Sequence, residues 1–315
     1  MIEPGSASIE RLVAEAERLL GPRVGRDVPL GPMCTYRVGG DAAVALIVES
    51  DHDLDLAADL LADNPVPVLV IGRGSNLLVS DRGFPGLVIV LGEPFAEIEV
   101  DPDGATITAG GAALLPVVAR RTAAAGLTGF EWAVGVPGSI GGAVRMNAGG
   151  HGSDVAANLD HVEIYDLRAR QRIIRPADSL ALAYRQSAVA AHEVVLSATF
   201  ALESGDAERS QAEISEIVRW RRANQPGGQN AGSVFTNPPG DSAGRMIDAA
   251  GLKGFRIGTA EVSPKHANFI QADPGGSADD VHAVITEIIR QIEALHGIEL
   301  HPENLLIGFD AEGAP

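Results

Sequence analysis

A dense run of glycines constrains the fold of this chain more than any other feature of the sequence. Its loop-forming residues, between apolar flanks, are Gly135, Pro137, Gly138, Ser139, Gly141 and Gly142. Side chains would keep a ligand away from the backbone N–H groups, which is why glycine and serine recur in loops that bind phosphate. The run therefore predicts a turn of bare backbone against which a ligand lies.

A loop of the same kind, Gly72-Arg-Gly-Ser-Asn76, lies earlier in the chain and follows the apolar run 66–71; it is the first glycine loop, and the run at 135–142 is the second. A tight strand-to-strand turn is the alternative interpretation of this loop. Neither loop has the Gly-x-Gly-x-x-Gly spacing of a dinucleotide-binding Rossmann unit, and neither has the Gly-Lys-Ser/Thr of a Walker loop. Together the loops predict a nucleotide cofactor that is held by a fold of another kind.

The charge of the chain restricts its partners. With 24 Lys and Arg against 42 Asp and Glu, the net charge is −18, spread along all 315 residues. Such a chain repels DNA, RNA and anionic lipid, so neither a nucleic acid nor a membrane is an expected partner. An anionic ligand must be held by local groups.

The sequence also indicates a compartment. Cys34 is the single cysteine, and the N-terminus has no basic region followed by a long apolar core, so we expect a cytoplasmic protein without disulfides. The longest apolar runs fall short of the roughly 20 residues of a membrane helix. Cys and His do not cluster at ligand spacing, so no metal site is expected.

Hydrophobic periodicity predicts alternating helices and strands. Helices are predicted at 8–20, 51–63, 114–125, 207–223, 242–250 and 279–296. Strands are predicted at 42–48, 66–71, within 87–110, and at 161–167, 171–174, 193–201 and 267–272. The segment 203–206 is the best linker candidate, and the chain beyond it is typical of a smaller α+β domain.

Several motifs, taken in order, resemble the UDP-N-acetylenolpyruvoylglucosamine reductase (MurB) family. Each fragment alone is weak, but the ordered set is specific and spans nearly the whole chain. The fragments are Thr35-Tyr-Arg-Val-Gly-Gly40, Gly72-x-Gly-Ser-Asn-Leu-Leu78, Glu131-Trp-Ala-x-Gly-x-Pro-Gly-x-x-Gly-Gly-Ala143, Met146-Asn-Ala-Gly149, Tyr184-Arg185, Ala231-Gly-Ser-Val-Phe235 and Pro302-Glu303.

The resemblance implies an α+β fold with an FAD-binding domain of the vanillyl-alcohol-oxidase (PCMH) type. It implies that this domain spans 1–203 in two lobes, about 1–64 and 65–203. A substrate domain would follow at 204–301, and the segment 302–315 would return to the FAD region. FAD would be bound without a covalent link.

The reaction that the resemblance implies has two halves. NADPH reduces FAD, and FADH2 then reduces the enolpyruvyl ether of UDP-N-acetylglucosamine to UDP-N-acetylmuramate, a peptidoglycan precursor. The implied catalytic residues are Ser233 as proton donor, Arg185 beside the substrate carboxylate, and Glu303 as a second polarising group. A guanidinium offers a fixed fork of donors to a carboxylate, and a serine hydroxyl can be aimed at one face of a planar intermediate.

The resemblance also implies binding residues. For FAD these are Tyr36, Gly72, Gly74, Ser75, Asn76, Leu77, Gly135, Pro137, Gly138, Ser139 and Gly142. In so acidic a chain the substrate diphosphate needs local positive groups, and the substrate candidates are Tyr184, Arg222, Gln225, Asn237, Lys253, His266 and Asn268, with Lys265 as a further cation. A solvated helix charge is the alternative interpretation of Arg222. In some relatives a lysine stands near Gln225, and its absence here leaves the binding of the diphosphate open.

Each catalytic candidate has a plainer interpretation. Ser233 could cap a turn, Arg185 could be a surface charge, and Glu303 could stabilise a helix N-terminus. Glu303 is also an unexpected neighbour for a developing negative charge, since an ionised carboxylate would oppose it. We therefore expect Glu303 to act as a neutral hydrogen-bond donor.

The sequence leaves two rival functions open and indicates a subtype. One rival is another flavin oxidase of the same fold, and the other is a flavin or sugar-nucleotide binding module without activity. The segment between Arg185 and the linker has no insertion that could carry a tyrosine lid, which indicates the lid-less (type II-like) subtype. A monomer is expected.

Overall fold

The computed structural model describes residues 6–309, and this part of the chain forms seven helices and eighteen strands. The helices are α1 (Ser6–Leu20), α2 (Asp51–Asp63), α3 (Leu115–Ala124), α4 (Ile140–Arg145), α5 (Ala207–Asn224), α6 (Ala243–Ala249) and α7 (Ala278–His296). Short 3-10 turns, among them Glu131–Gly135 and Val155–Ala157, connect several elements.

The strands are mostly short. They are β1 (Val24–Pro29), β2 (Asp41–Val48), β3 (Val68–Val70), β4 (Leu77–Val79), β5 (Phe84–Leu91), β6 (Ile98–Asp101), β7 (Thr106–Gly110), β8 (Leu127–Thr128), β9 (Gly149–Gly150), β10 (Ser153–Asp154), β11 (Leu159–Asp166), β12 (Gln171–Pro176), β13 (Glu193–Ala201), β14 (Glu203–Ser204), β15 (Arg256–Ile257), β16 (Ala260–Val262), β17 (Ile270–Ala272) and β18 (Leu305–Ile307).

The described residues form two compact units, each assembled from separate stretches of chain. Unit 1 comprises residues 6–26, 44–73 and 85–221, and unit 2 comprises 27–43, 74–84 and 222–309.

The first sheet of unit 1 has the order β1-β2-β5-β3, with β3 and β5 parallel. Helix α1 buries the stripe Leu12, Val13, Ala16 and Leu20, because these positions recur at the helical period and share one face. They join the apolar face of α2 and strand residues such as Leu46 and Ile89 in one core.

A buried carboxylate fixes the start of α2. Asp53 is fully buried and accepts the backbone N–H groups of Glu49 and Ser50 at 2.9 and 3.0 Å. Ser50 caps the helix in return, and Arg23 pairs with the carboxylate. Burial alone raises the pKa of Asp53, but these hydrogen bonds and the Arg23 charge outweigh it, so the pKa lies below its usual value.

This lowered pKa gives a testable pH dependence. The ionised Asp53 stabilises the fold above the unfolded pKa of about 3.9, and this stabilisation is lost as the pH falls through the folded pKa. We expect Asp53→Ala to lower the free energy of unfolding by about 2 kcal/mol at pH 7, less at pH 3, in urea titrations. The control is Asp63→Ala, an exposed acid at the other end of α2. Equal stability of Asp53→Ala and the parent at pH 7 would contradict the assignment.

The second sheet of unit 1 is antiparallel and has the order β12-β11-β13-β7-β6. Its central strand β13 is buried on both faces, since Val194 and Leu196 join the core of the first sheet while Val195 and Phe200 join a second core. This explains the apolar run at 193–201, which lacks simple alternation. Helices α3 and α4 carry buried residues of the second core.

Unit 2 is built around α7. Its buried residues, Val281, Val284, Ile285, Ile288 and Ile292, pack with residues of α6 and of the three-stranded sheet β15-β16-β17. Strand β18 pairs in parallel with β4, so that Leu305 lies opposite Leu77. Asp81 accepts the backbone N–H groups of Ala278 and Asp279 at the start of α7.

Most predicted elements are present. All six predicted helices are confirmed within about two residues at each end, while the strand predicted at 66–71 is limited to Val68–Val70 and that at 267–272 to Ile270–Ala272. The linker candidate differs from the structure, because Glu203 and Ser204 pair with Thr128 and Leu127 as a two-stranded ribbon.

The domain boundaries stay predictions, and the compact units divide the chain differently. The sheet that begins with β1 and β2 continues beyond residue 64, since β3 and β5 belong to it. Periodicity identifies a strand but not its partner, so this pairing was not visible in the sequence. Residues 1–5 and 310–315 of the predicted domains lie outside the described residues.

One further expectation concerns membranes. Between residues 6 and 309, no helix is both long and apolar enough to cross a membrane.

Candidate functional site

Unit 1 contains a cavity of about 310 Å³ at which the two glycine loops meet. Five residues of these loops line it: Gly72 and Arg73 of the first loop, and Ser139, Gly141 and Gly142 of the second. Backbone bonds fix the second loop, since the N–H of Ile140 donates to Ala113 O and that of Gly141 to Gly111 O, both at 2.9 Å. Glycine and serine residues of both loops therefore line this space, and the binding of a ligand there stays a prediction.

The space around the glycines at this cavity differs between Gly72 and Gly142. A Cβ at Gly72 would lie 2.1 Å from Ser139 Oγ, so the two loops touch there. At Gly142 the nearest atom to an added Cβ is the same Oγ at 3.9 Å, so a side chain would extend into the cavity instead. Only small residues at these positions therefore leave the cavity open.

Two guanidinium groups line the same cavity. Arg145 follows the second glycine loop at the end of α4 and donates to Ala190 O at 3.0 Å. Burial lowers the pKa of Arg145, and the nearby Glu193 opposes this shift. Arg73 also lines the cavity. Sequence reasoning missed both arginines, although Arg73 stands inside one loop and Arg145 directly after the other.

The remaining residues of the second loop shape the turn. The N–H of Gly138 donates to Val136 O at 2.9 Å and its carbonyl accepts from the N–H of Leu115 at 3.1 Å. A Cβ at Gly135 would lie 2.9 Å from the ring of His151. Gly135, Pro137 and Gly138 are not among the residues that line the cavity, and their role toward a ligand stays a prediction.

Unit 2 brings Ser233 and Glu303 to the same place, although 70 positions separate them. The N–H of Glu303 donates to Val234 O at 2.7 Å, and Phe235 forms a bridge with Pro302. Both Ser233 and Glu303 keep partly exposed side chains. A hydroxyl and a carboxyl group are thus carried on two backbone segments that are hydrogen-bonded to each other.

A buried asparagine joins these segments to the first glycine loop. Asn304 donates to Asn76 Oδ1 at 2.9 Å and to Ala231 O at 3.2 Å, and the hydroxyl of Tyr36 donates to Asn304 Oδ1 at 3.4 Å. Asn76 in turn donates to Glu303 O at 2.9 Å. Sequence reasoning missed Asn304, and its position directly after Glu303 was the available signal.

The first glycine loop continues in unit 2. Gly74 adopts φ +57°, and an added Cβ would lie 2.2 Å from Met33 O, so this position requires glycine. Its carbonyl accepts the N–H of Thr35 at 3.1 Å. Ser75 follows Gly74, and Leu77 begins β4, paired with β18.

Arg185 lies in unit 1, in the turn 183–186. Its Nη2 donates to Gly149 O at 3.0 Å, and its guanidinium carbon lies 5.1 Å from the ring centroid of Tyr184. The Tyr184 side chain is 59% exposed, so the pair presents an aromatic ring and a cation at the surface of unit 1.

The candidate substrate residues all lie in unit 2 except Tyr184. Asn268 is buried and exchanges hydrogen bonds of 2.9 Å with the backbone of Phe235, which holds the segment after Ser233. Asn237 Oδ1 accepts the N–H of Ala243 at 3.1 Å at the start of α6. These two asparagines therefore support the Ser233 loop and α6 in the described structure.

The cationic candidates have partners of their own. Lys253 pairs with Asp248 at 2.7 Å, and Lys265 donates to the carbonyl of Arg222 at 2.6 Å. Burial lowers the pKa of His266, and the charge of Lys253 lowers it further. Arg222 is exposed and Gln225 partly exposed. Their part in binding a diphosphate stays a prediction.

Comparison with known proteins decides the family. Residues 42–172 match a family described as an FAD binding domain, and residues 224–307 match the C-terminal domain of UDP-N-acetylenolpyruvoylglucosamine reductase. A protein of that name from Acidiphilium cryptum (strain JF-5) is 42% identical over 293 residues, 93% of this chain and 94% of its own. The chain belongs to the UDP-N-acetylenolpyruvoylglucosamine reductase family.

Further relatives agree in name and length. The reductase of Paramagnetospirillum magneticum (strain ATCC 700264 / AMB-1) is 43% identical over 288 residues, 91% of this chain and 92% of its own. The crystal structure of the MurB protein from Thermus caldophilus has a TM-score of 0.78 at 35% identity and covers 90% of this chain and 99% of that one. The predicted family and the α+β fold with an FAD-binding domain are confirmed.

The residues of the cavity fit the cofactor of this family. FAD carries a diphosphate and two large ring systems, so its site needs bare backbone, positive charge and volume. Gly72, Ser139 and Gly142 supply the bare backbone, and Arg73 and Arg145 supply the positive charge. These features make the cavity a candidate for part of the FAD site.

Proposed function

We propose that this chain reduces UDP-N-acetylglucosamine enolpyruvate to UDP-N-acetylmuramate, with FAD as cofactor and NADPH as the hydride donor. The observation that carries the proposal is the hydrogen bond from Glu303 N–H to Val234 O in unit 2, which joins the two backbone segments that carry Ser233 and Glu303. Neither an oxidase of the same fold nor an inactive binding module would require a hydroxyl and a carboxyl group held together in this way.

Bound FAD supplies the hydride chemistry of both halves of the reaction. Arg185 binds the substrate carboxylate, because its guanidinium stays charged and stabilises the negative charge that spreads onto the carboxylate oxygens. Ser233 donates the proton to the carbon atom that bears this carboxylate, and its partly exposed hydroxyl allows it to be resupplied from solvent.

Glu303 acts in this proposal as a neutral hydrogen-bond donor. An ionised carboxylate would repel the developing charge, whereas a protonated one, or an amide, stabilises it by donating. We therefore expect Glu303→Gln to keep turnover within about threefold of the parent, whereas Glu303→Ala loses at least tenfold. The measurement is the steady-state rate of NADPH consumption, with Glu299→Gln, an exposed neighbour, as control. An inactive Gln variant would show that the charge of Glu303 is needed.

The finer assignments remain part of the proposal. For the UDP-sugar we propose Tyr184, Arg222, Gln225, Asn237, Lys253, His266 and Asn268. For FAD we propose Tyr36, Gly74, Ser75, Asn76, Leu77, Gly135, Pro137 and Gly138 beside the cavity residues. We also propose the lid-less subtype, a cytoplasmic monomer, and the division of the chain at about residues 204 and 302.

The proposed activity is tested with the purified holoenzyme. We expect one UDP-N-acetylmuramate, identified by mass, for each NADPH consumed in the presence of the enolpyruvyl substrate. NADPH consumption that depends on oxygen and leaves the substrate unchanged would support the oxidase instead. A protein that binds FAD but never oxidises NADPH would support the binding module.

A further inference from the structure

The motif Met146-Asn-Ala-Gly149 is not explained by the cofactor cavity, which ends at Arg145 on this side of the chain. Its asparagine is unusual in two respects. Asn147 is only 2% exposed, and it adopts a left-handed conformation with φ +39°. A buried amide is costly unless it is hydrogen-bonded, so its partners show what it holds in place.

The Asn147 side chain connects three segments of unit 1. Its Nδ2 donates to Ala183 O at 2.9 Å and to Asp154 Oδ2 at 3.3 Å, while its Oδ1 accepts the N–H of Ala156 at 2.9 Å. Asp154 belongs to the hairpin β9–β10, opposite Gly149. The amide thus ties the turn that starts at Ala183 to this hairpin.

Ala183 begins the turn that carries Arg185. Ala183 and Gln186 exchange two backbone hydrogen bonds of 3.0 Å, and Arg185 sits between them with φ +57°. The guanidinium then donates to Gly149 O at 3.0 Å. The same hairpin therefore holds Arg185 twice, directly at its head group and through Asn147 at the base of the turn.

The loop is also anchored beyond the turn, where Ser187 donates its hydroxyl to Arg145 O at 2.7 Å and the N–H of Ala188 donates to Leu180 O at 2.6 Å, but these bonds do not involve Ala183 or Arg185. Residues 181, 183, 184, 186 and 188 are exposed, and the loop is closed at its ends by the buried Leu180 and Val189. A short exposed loop of this kind has many accessible conformations unless internal hydrogen bonds select one of them. Removing the Asn147 amide should free the turn without removing Arg185 itself.

We propose that Asn147 is a positioning residue that holds Arg185, through the turn 183–186, in the orientation that binds the substrate carboxylate. The inference rests on the proposed function, because it assumes that Arg185 binds this group. It assigns Asn147 to the substrate half of the reaction and not to the reduction of the flavin by NADPH.

The test compares the two half-reactions in Asn147→Gly, in which glycine adopts the left-handed conformation without strain. By anaerobic stopped-flow we expect flavin reduction by NADPH within twofold of the parent. Reoxidation by the enolpyruvyl substrate should be about 10²-fold slower, the effect of misplacing a binding group by about 1 Å. The affinity for UDP-N-acetylmuramate, followed by the flavin absorbance change, should fall about tenfold.

Two further variants separate positioning from general damage. Asn147→Asp keeps the acceptor for Ala156 but loses the donor to Ala183, so it should share the defect. Asn158→Ala also removes one hydrogen bond from a side-chain amide to a backbone carbonyl, that of Ala201 at 3.2 Å. This variant should behave as the parent. If both Asn147 variants lose FAD, or slow both half-reactions equally, Asn147 is a general structural residue and the proposal is overturned.

A double-mutant cycle gives the decisive comparison. If Asn147 acts through Arg185, then Asn147→Gly should not slow reoxidation further in an Arg185→Ala background. Additive effects would overturn the proposal. If reoxidation is slow in Arg185→Ala but as fast as the parent in Asn147→Gly, the positioning role of Asn147 is contradicted while the proposed function stands. If the parent is not reoxidised by the substrate, or Arg185→Ala is as fast as the parent, the proposed function fails and the inference with it.

Discussion

Ser233→Ala should slow the reoxidation of the reduced enzyme by UDP-N-acetylglucosamine enolpyruvate by at least about 10²-fold, the range of a lost general acid. Reduction by NADPH should remain within twofold, because no proton from Ser233 is needed there. The backbone around Ser233 should be unaffected, since Val234 N–H donates to Asn268 O at 2.9 Å without the serine side chain. Anaerobic stopped-flow absorbance measures both rates on the same sample.

A matched control separates the loss of a proton donor from the loss of a hydroxyl group as such. Ser215 in α5 donates its hydroxyl to Gln211 O at 2.8 Å and is exposed, so Ser215→Ala should leave both half-reactions unchanged. If Ser233→Ala reoxidised as fast as the parent, the serine would be a turn residue, and another group would have to supply the proton.

Gly142→Leu should weaken cofactor binding strongly without damaging the fold. The position lies inside the helical segment α4, where glycine is about 1 kcal/mol less favourable than alanine, so a larger residue does not strain the backbone. Its side chain would extend into the cavity, because the nearest atom to an added Cβ is 3.9 Å away. We expect FAD affinity to fall by about 10²-fold, the equivalent of roughly 3 kcal/mol of overpacking.

The readouts for this variant are flavin titration and thermal unfolding without FAD. The apo forms of parent and variant should unfold at similar temperatures, whereas only the parent gains stability when FAD is added. Gly227→Leu is the control, since an added Cβ there meets nothing within 4 Å and the residue lies away from the cavity. Unchanged FAD affinity in Gly142→Leu would show that the cofactor lies elsewhere.

Local pattern was enough to predict the helices and to select three residues that line the cavity of unit 1. Helix α7 was predicted at 279–296 and spans Ala278–His296, because its apolar stripe and the capping residue Ser277 are both local features. Gly72, Ser139 and Gly142 were predicted for a similar reason, because small residue types are the ones that leave the backbone accessible to a ligand.

Contacts between distant residues could not be predicted in the same way. Asn304 donates to Asn76 across 228 positions; its place directly after Glu303 indicates a site residue, but nothing in the sequence indicates Asn76 as its partner. Arg73 and Arg145 both line the cavity, and nothing in the sequence indicates that residues 72 positions apart share it. Only the ordered family motifs relate Ser233 to Glu303. Taken alone, each residue has a local explanation: a turn for Ser233 and a helix start for Glu303.

The most direct test of the central claim is an anaerobic absorbance trace of the flavin in the purified protein. NADPH should bleach the flavin, and UDP-N-acetylglucosamine enolpyruvate added afterwards should restore its absorbance promptly, with UDP-N-acetylmuramate as the product. Bleaching that only oxygen reverses would contradict the substrate assignment, and a protein that takes up no FAD would contradict the whole account.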